Sequence, residues 1–406
     1  MFSTLKKIND IFISQENIAD LYVNIRNYLP PKRFRQFRSA WVINNLIKGP
    51  YKRHKLEKKY ECTLPGVINI SPTERCNLRC RGCYASSYDQ TVEMTCEQIE
   101  KIIYEAQELG IFFIGILGGE PLLRKDLFPL LSKHKKVAFR ISTNGTLLDS
   151  DIIQSLKEAG NIVLFFSLEG FQEETDFWRG KGIYRQILKN MRILNREKIL
   201  FGFSVLLHAE NKNVVISEEF LNIMQKSGNK FGLYFPYGPI GEHQFHDLVI
   251  GRKELKRIFN KLSAIEKNYS MLIIKEGFHT SRMPKSYFLN QGCGAGVSVH
   301  ITPQGFVEPC NAIHFYTENI FEKSLLQILK SSFYRDIHSC AQQNEKDCVG
   351  LYEPFKVIDI IAKNKALESH KNAFDGYYRF ARIRSDREVP PSNHFLNGEI
   401  RDADIQ

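Results

Sequence analysis

No apolar run in this 406-residue sequence approaches the length of a bilayer span. The longest, such as Ile111–Leu117 and Ile162–Phe166, fall far below the roughly 18 residues that a membrane helix needs. Met1 to Ser14 carries Asp10 and no apolar core ahead of small residues, so the pattern of a secretory signal is missing. Repeats, low-complexity tracts and H-x-x-x-H arrays are also missing. With 43% hydrophobic and 25% charged residues, disorder, collagen and coiled coil are poor fits. These absences leave a chain expected in the cytoplasm, long enough for two or three domains and for a core that needs no disulfide. Its nine cysteines then read as metal ligands or free thiols.

Basicity is unevenly spread. Of the formal net charge of +11, residues 1–65 carry 13 Lys and Arg against five Asp and Glu. The rest of the chain is nearly balanced. This segment mixes apolar stretches with basic ones, broken by Pro30-Pro31 and Gly49-Pro50, and predicts short helices without a catalytic motif. Arg33, Phe34, Arg35, Phe37, Arg38 and Trp41 interleave cations with aromatics. Such a stripe fits a peripheral site at the inner membrane surface, or an acidic peptide or RNA held through residues 32–59, or simply a solvated helix packed on the main domain.

From residue 66 the texture changes to short apolar runs alternating with helical patterns. The runs are Val67–Ile70, Ile111–Leu117, Val137–Ile141, Ile162–Leu168, Leu200–Leu207 and Phe231–Phe235. Each suits a buried parallel strand, and each gap holds a crossover helix. The clearest helix opens on Thr95 with Gln98 completing a capping box, and stops at Gly110. The fold expected is α/β, a partial (β/α)6 barrel of the TIM type over about 66–250. Periodicity alone leaves an open doubly wound sheet equally available. Val297–Thr302 and Phe306–Val307 flank Pro303-Gln304-Gly305 as a small hairpin. Pro390-Pro391 points to an irregular tail.

The strongest motif is C-x3-C-x2-C, formed by Cys76, Cys80 and Cys83 directly after the first predicted strand and followed by Tyr84. One loop with this spacing can wrap a metal centre, and thiolates suit iron–sulfur clusters. Three ligands leave one iron open. Structural zinc is the competing account, but it wants four closed ligands. Arg75, Arg79 and Arg81 lie within the loop to offset thiolate charge.

In these residues the sequence resembles the radical SAM superfamily. The resemblance implies a [4Fe-4S] cluster on the three cysteines, with S-adenosylmethionine (SAM) chelating the fourth iron. It also implies reductive cleavage to a 5′-deoxyadenosyl radical and hydrogen abstraction from a substrate. Further positions match in order. Gly118-Gly119-Glu120-Pro121 follows the second strand, implying contact between Glu120 and the methionyl amine. Ser142 and Asn144 end the third strand, near the cofactor or merely as turn and cap. Ser167 ends the fourth, and Arg179 lies 12 residues on, matching a Ser/Arg pair for ribose and carboxylate. The family usually has Asp where this chain has Glu169. Tyr84, Gly118, Gly119, Glu120, Ser142, Asn144, Ser167 and Arg179 are therefore the expected cofactor contacts, with no catalytic residue assigned.

Cys293, Gly305 and Cys310 form C-x11-G-x4-C, which resembles the opening of SPASM and twitch extensions. With Cys340 and Cys348, this implies one auxiliary [4Fe-4S] cluster with closed coordination, the last two being the weaker pair and readable as independent thiols. Cys62 and Cys96 match no motif, and His300 and His314 flank the site. Phe235 to Gly241 could line a pocket or form a plain loop. The expected organisation is a basic helical extension at 1–65, the radical SAM core at 66–285, a SPASM- or twitch-like auxiliary domain at 286–355 and a C-terminal tail at 356–406. The expected substrate is a peptide or protein, a lipid or a cofactor precursor. The resemblance implies an oxidoreductase or maturase with a reductant such as flavodoxin or ferredoxin. The competing class is a cluster-bearing binding or electron-transfer protein that does not cleave SAM.

Overall fold

The computed structural model describes residues 16–241, 244–276, 293–295, 298–343 and 347–384. Pro390-Pro391 and residues 1–15 lie outside them.

All six predicted strands form: β1 (Val67–Ile70), β2 (Phe113–Ile116), β3 (Ala138–Thr143), β4 (Ile162–Leu168), β5 (Phe201–Leu207) and β6 (Phe231–Pro236). They pair in parallel in sequence order, and β7 (Leu272–Lys275) extends the sheet beyond β6. The helix Cys96–Glu108 carries the capping box between Thr95 and Gln98, and it turns Ile99, Ile102, Ile103 and Ala106 onto the sheet. Curled, with crossover helices outside, this sheet is a partial barrel. The doubly wound alternative is thereby excluded, because the helices do not alternate across two open faces.

The hairpin also forms. β8 (Ser298–Ile301) and β9 (Val307–Glu308) pair antiparallel, with Gly305 at φ 85° in the turn. What sequence did not show is that β8 also pairs in parallel with β1, from Val67 opposite Ser298 to Ile70 opposite Ile301. Beyond it, helices Ser332–Gln343, Pro354–Lys363 and Ala373–Arg384 close over a second apolar core containing Cys293, Cys310, Cys340, Ile337, Val357, Tyr377 and Phe380.

The N-terminal segment is helical: Glu16–Tyr28, Pro31–Phe37, a π-wound stretch Arg38–Lys48, and Gly49–Tyr60. Leu21, Ile25, Leu29 and Phe37 join Val163, Phe165, Phe231 and Leu233 in one core, so these helices stop the N-terminal end of the barrel. Trp41 packs on Phe113 at 5.3 Å and Phe231 at 6.1 Å between ring centroids, and its indole N–H donates to the Asn161 carbonyl at 3.2 Å. Arg53, buried, donates to the Gly110 carbonyl at 2.8 Å. Phe37 and Trp41 thus face the barrel and not a membrane, while Lys32, Arg35, Arg38, Lys55, Lys58 and Lys59 remain exposed. Among the described residues no helix is long and apolar enough to cross a membrane.

Candidate cluster and cofactor site

The C-terminal ends of β1 to β6 converge on one face, the face on which parallel barrels place their sites. The β1 loop bears Cys76, Cys80 and Cys83. It is fixed from below by the β2 loop: Gly119 N–H donates to the Thr73 carbonyl at 3.0 Å and Glu120 N–H to the Arg75 carbonyl at 2.8 Å. A Cβ at Gly118 or Gly119 would run into those two carbonyls, and Gly118 holds φ 107°, so both positions require glycine.

Glu120 is fully buried and its carboxylate is occupied within the chain. Oε1 accepts from the Leu122 N–H at 2.9 Å and the Thr143 hydroxyl at 2.7 Å, and Oε2 accepts from the Asn144 N–H at 2.7 Å. Burial raises its pKa against these bonds. The carboxylate therefore clamps the end of β3 to the cysteine loop. Asn144 continues the connection, its side-chain amide reaching Cys76 Sγ at 3.7 Å and Asn77 Oδ1 at 2.9 Å. Ser142 precedes Thr143 on β3 and so points to the opposite, inner side, along with Arg140.

Ser167 on β4 sits opposite Ser204 on β5, Oγ to Oγ 3.4 Å. Arg179, at the end of helix Gln172–Arg179, binds Glu169 Oε1 at 2.6 Å. Glu169 is 1% exposed and its second oxygen has no partner, nor has Arg179 Nε. A buried unpartnered carboxylate oxygen and guanidinium N–H at the mouth are a donor–acceptor pair left open for a bound molecule. Thr175 and Asn211 hold the Glu169 backbone at 3.2 and 3.0 Å.

Burial raises all three loop thiols, Cys83 to about 11. The opposing cation is Arg179, acting on Cys80 and Cys83. This differs from the expectation that the loop's own arginines serve. Arg75 turns to Glu93 at 2.7 Å, and Arg81 lies over Phe245, Phe177 and Trp178 at 4.3 to 5.4 Å. Among the described residues no three His, Cys, Asp or Glu side chains gather tightly enough for a single metal ion.

In the C-terminal core, Cys293 accepts the Val349 N–H at 3.4 Å and interacts with Cys348, a contact that, ahead of burial, drives its pKa upward. The Tyr377 hydroxyl lies in the field of Cys348, Cys310, Cys293 and Cys340 together. Cys293, Cys310 and Cys340 thus share one apolar core, with Cys348 partly buried against it. Cys62 is packed in the main core, and Cys96 donates to Asp126 at 3.2 Å.

Sequence reasoning missed several buried polar groups at this face. Glu74, two residues before Cys76, is fully buried with both oxygens unpartnered, and burial lifts it to about 8. His208, at the end of β5, is 1% exposed with both ring nitrogens unpartnered. Both follow strand ends, which was the one available signal.

Residues 70–221 match the model of the Radical SAM superfamily. The chain carries a radical SAM domain. The Fe-coproporphyrin III synthase of Methanosarcina barkeri is 35% identical over 150 residues, 36% of this chain and 38% of that protein. The pre-heme d1 synthase of Dinoroseobacter shibae is 30% identical over 173 residues, 39% and 43% of the two chains. These matches thus span less than half the length of either relative. The AdoMet-dependent heme synthase of M. barkeri is 25% identical over 301 residues, 66% of this chain and 83% of that protein. Among solved structures, Streptococcus suis SuiB superposes with a TM-score of 0.58 at 19% identity over 72% of each chain. The radical SAM domain here and that structure share the partial-barrel fold.

Proposed function

We propose that this protein is a radical SAM enzyme that modifies a small-molecule cofactor precursor by hydrogen abstraction. The observation that carries the reading is the convergence of Cys76, Cys80 and Cys83 at the barrel mouth, beside the unsatisfied Glu169 and Arg179 groups. A [4Fe-4S] cluster bound there would supply one electron for reductive cleavage of SAM, the chemistry from which hydrogen abstraction would follow. The chain's own residues then have separable tasks. The three thiolates hold the cluster. The free Arg179 Nε–H and Ser167 offer donors for a carboxylate and a ribose, and the free Glu169 oxygen offers an acceptor. Glu120 and Asn144 keep the loop in register. Cys293, Cys310, Cys340 and Cys348 would hold an auxiliary cluster, which would serve electron transfer or structure.

Relatives at 25–35% identity are named for haem-type products and others at 26–27% as GTP 3′,8-cyclases, which favours a small molecule over a peptide. SuiB has also been solved bound to its precursor peptide SuiA, but the likeness to it extends to fold. A flavodoxin or ferredoxin is the natural electron source, and the exposed basic face of the N-terminal helices suits an acidic protein of that kind.

Anaerobic reconstitution followed by SAM and dithionite should give 5′-deoxyadenosine. Replacing Cys76, Cys80 and Cys83 by Ala should abolish it, and cleavage that persists would refute the assignment. Replacing Cys293 and Cys310 should halve the bound iron while the first cluster stays; an unchanged iron count removes the auxiliary site.

A further inference from the structure

The concave side of the barrel is reached by solvent near its mouth. On β3, β4 and β5 the outward residues Ile141, Phe166 and Val205 are fully buried beneath helices. The inward Ser142, Ser167 and Leu206 are only partly covered, as is Phe235 on β6. The N-terminal helices stop the far end of this lumen, so it opens toward the face that bears Cys76, Cys80 and Cys83.

Arg140, inward on β3, lies across the lumen. Its Nη1 reaches Glu276, one residue past the end of β7, at 3.1 Å, and its Nη2 reaches Asn69 Oδ1 on β1 at 3.4 Å. Gly115 on the intervening β2 makes room for this contact, since a Cβ there would strike the Asn69 oxygen. Two of the five guanidinium N–H groups are thereby used. The buried Nε has no partner among the described residues.

Asn69 passes the same polarity on. A guanidinium only donates, so Asn69 meets it with oxygen and turns its NH₂ group to Asn311 Oδ1 at 3.1 Å. Asn311 spends its oxygen on Asn69, and its own NH₂ is left over. That residue is partly exposed and directly follows Cys310, so the C-terminal domain contributes to the lumen wall. Both ends of the series Arg140, Asn69, Asn311 therefore present unspent N–H groups. The acceptor that balances them is Glu276, and the two members of this ion pair are unequally held: the Arg140 side chain is 8% exposed, that of Glu276 44%. Glu276 can turn out to water at little cost, whereas Arg140 is enclosed by the strands around it.

We propose that Arg140 and Asn311 bind an oxyanion of the substrate, a carboxylate or a phosphate, in exchange for Glu276. The guanidinium fork suits either group through paired N–H donors. In the empty barrel Glu276 neutralises the buried cation, and it returns to solvent when the substrate anion takes its place. A substrate without such a group would have to leave that ion pair intact and would gain nothing from the row of donors.

This rests on the enzyme reading and names a class of substrate for it. Calorimetry on the reconstituted, oxidised full-length protein tests it, with excess SAM present so that Arg179 is occupied. The probes are sodium propionate and methyl phosphate, with propionamide as the neutral control. A saturable response to propionate names a carboxylate and one to methyl phosphate a phosphate; propionamide should give none. Arg140→Gln should weaken the response about tenfold or more, the loss expected for a charge-assisted bond. Glu276→Gln should strengthen it about tenfold, because the competing anion is gone, which a purely structural ion pair would not do. Equal responses to charged and neutral probes, a response kept in Arg140→Gln, or no gain in Glu276→Gln would overturn the site. Should Arg140→Gln disturb folding, the half-exposed position of Glu276→Gln decides. Formation of 5′-deoxyadenosine without any anion response removes this site and leaves the enzyme reading. An anion response that depends on Arg140, without 5′-deoxyadenosine, does the reverse.

Discussion

Asn144 Nδ2 lies 3.7 Å from Cys76 Sγ, while the backbone N–H of the same residue ends on Glu120 at 2.7 Å. One residue thus joins a cluster thiol to a buried carboxylate on the neighbouring strand. Hydrogen bonds to cluster sulfurs raise reduction potentials, and partners behind a ligand commonly matter by about 10- to 100-fold in affinity or activity. Asn144→Ala should lower the midpoint potential of the first cluster and slow SAM cleavage about tenfold. EPR-monitored redox titration measures this, and an unmoved potential would count against the contact.

Glu120 receives three donors and returns none. Glutamine in its place presents one oxygen and an NH₂ group, which must face either the Asn144 N–H or the Leu122 and Thr143 donors. One buried donor is left opposed, at a cost of about 1–3 kcal/mol. Glu120→Gln should therefore lower stability by that amount in urea titration, and an unchanged midpoint would count against the clamp.

His208 links pH to stability. Burial, with Arg81 adding repulsion, lowers its pKa from 6.5 to about 4. Once unfolded, it takes a proton near pH 6.5 that the folded protein refuses. The unfolded state therefore binds more protons between those values, and stability falls as pH drops through the window. The full loss is up to about 3 kcal/mol. His208→Phe should flatten this part of the pH–stability curve; an unchanged slope would show that other groups set it.

Trp41 distinguishes a barrel plug from a membrane face. Truncating a large aromatic in a core costs about 3–5 kcal/mol, and half-burial reduces that to about 2 kcal/mol for Trp41→Ala. A clear loss of stability with unchanged sedimentation on anionic vesicles is the expected pair of results. Unchanged stability with lost vesicle binding would reverse the assignment.

The six barrel strands were legible because each is an apolar run longer than its neighbours' turns. β7 was not, since Leu272–Lys275, no shorter than β1, ends on a buried lysine that breaks the apolar pattern. The pairing of β8 with β1 could not be read either: local patterning shows a hairpin, and nothing in it names a partner more than 200 residues earlier. The same holds at the site. Cys76, Cys80 and Cys83 announce themselves by spacing, whereas Arg179 as their counter-cation and Tyr377 beside the second set depend on how helices dock. The N-terminal stripe was half legible. Its cations face solvent as an alternating pattern suggests, but Phe37 and Trp41 answer to a barrel interior that only tertiary structure supplies.

The parallel pairing of β1 with β8 also bears on the order of assembly. Contacts so distant in sequence form late. Until residues 298–301 emerge during synthesis, β1 is an open sheet edge, with unpaired backbone groups beside the loop of three thiols. Nearly three quarters of the chain must exist before that edge is covered. The nascent protein is therefore most prone to aggregation and thiol oxidation over that long interval, and a chaperone or iron–sulfur carrier acting before release would meet the site in its most open form.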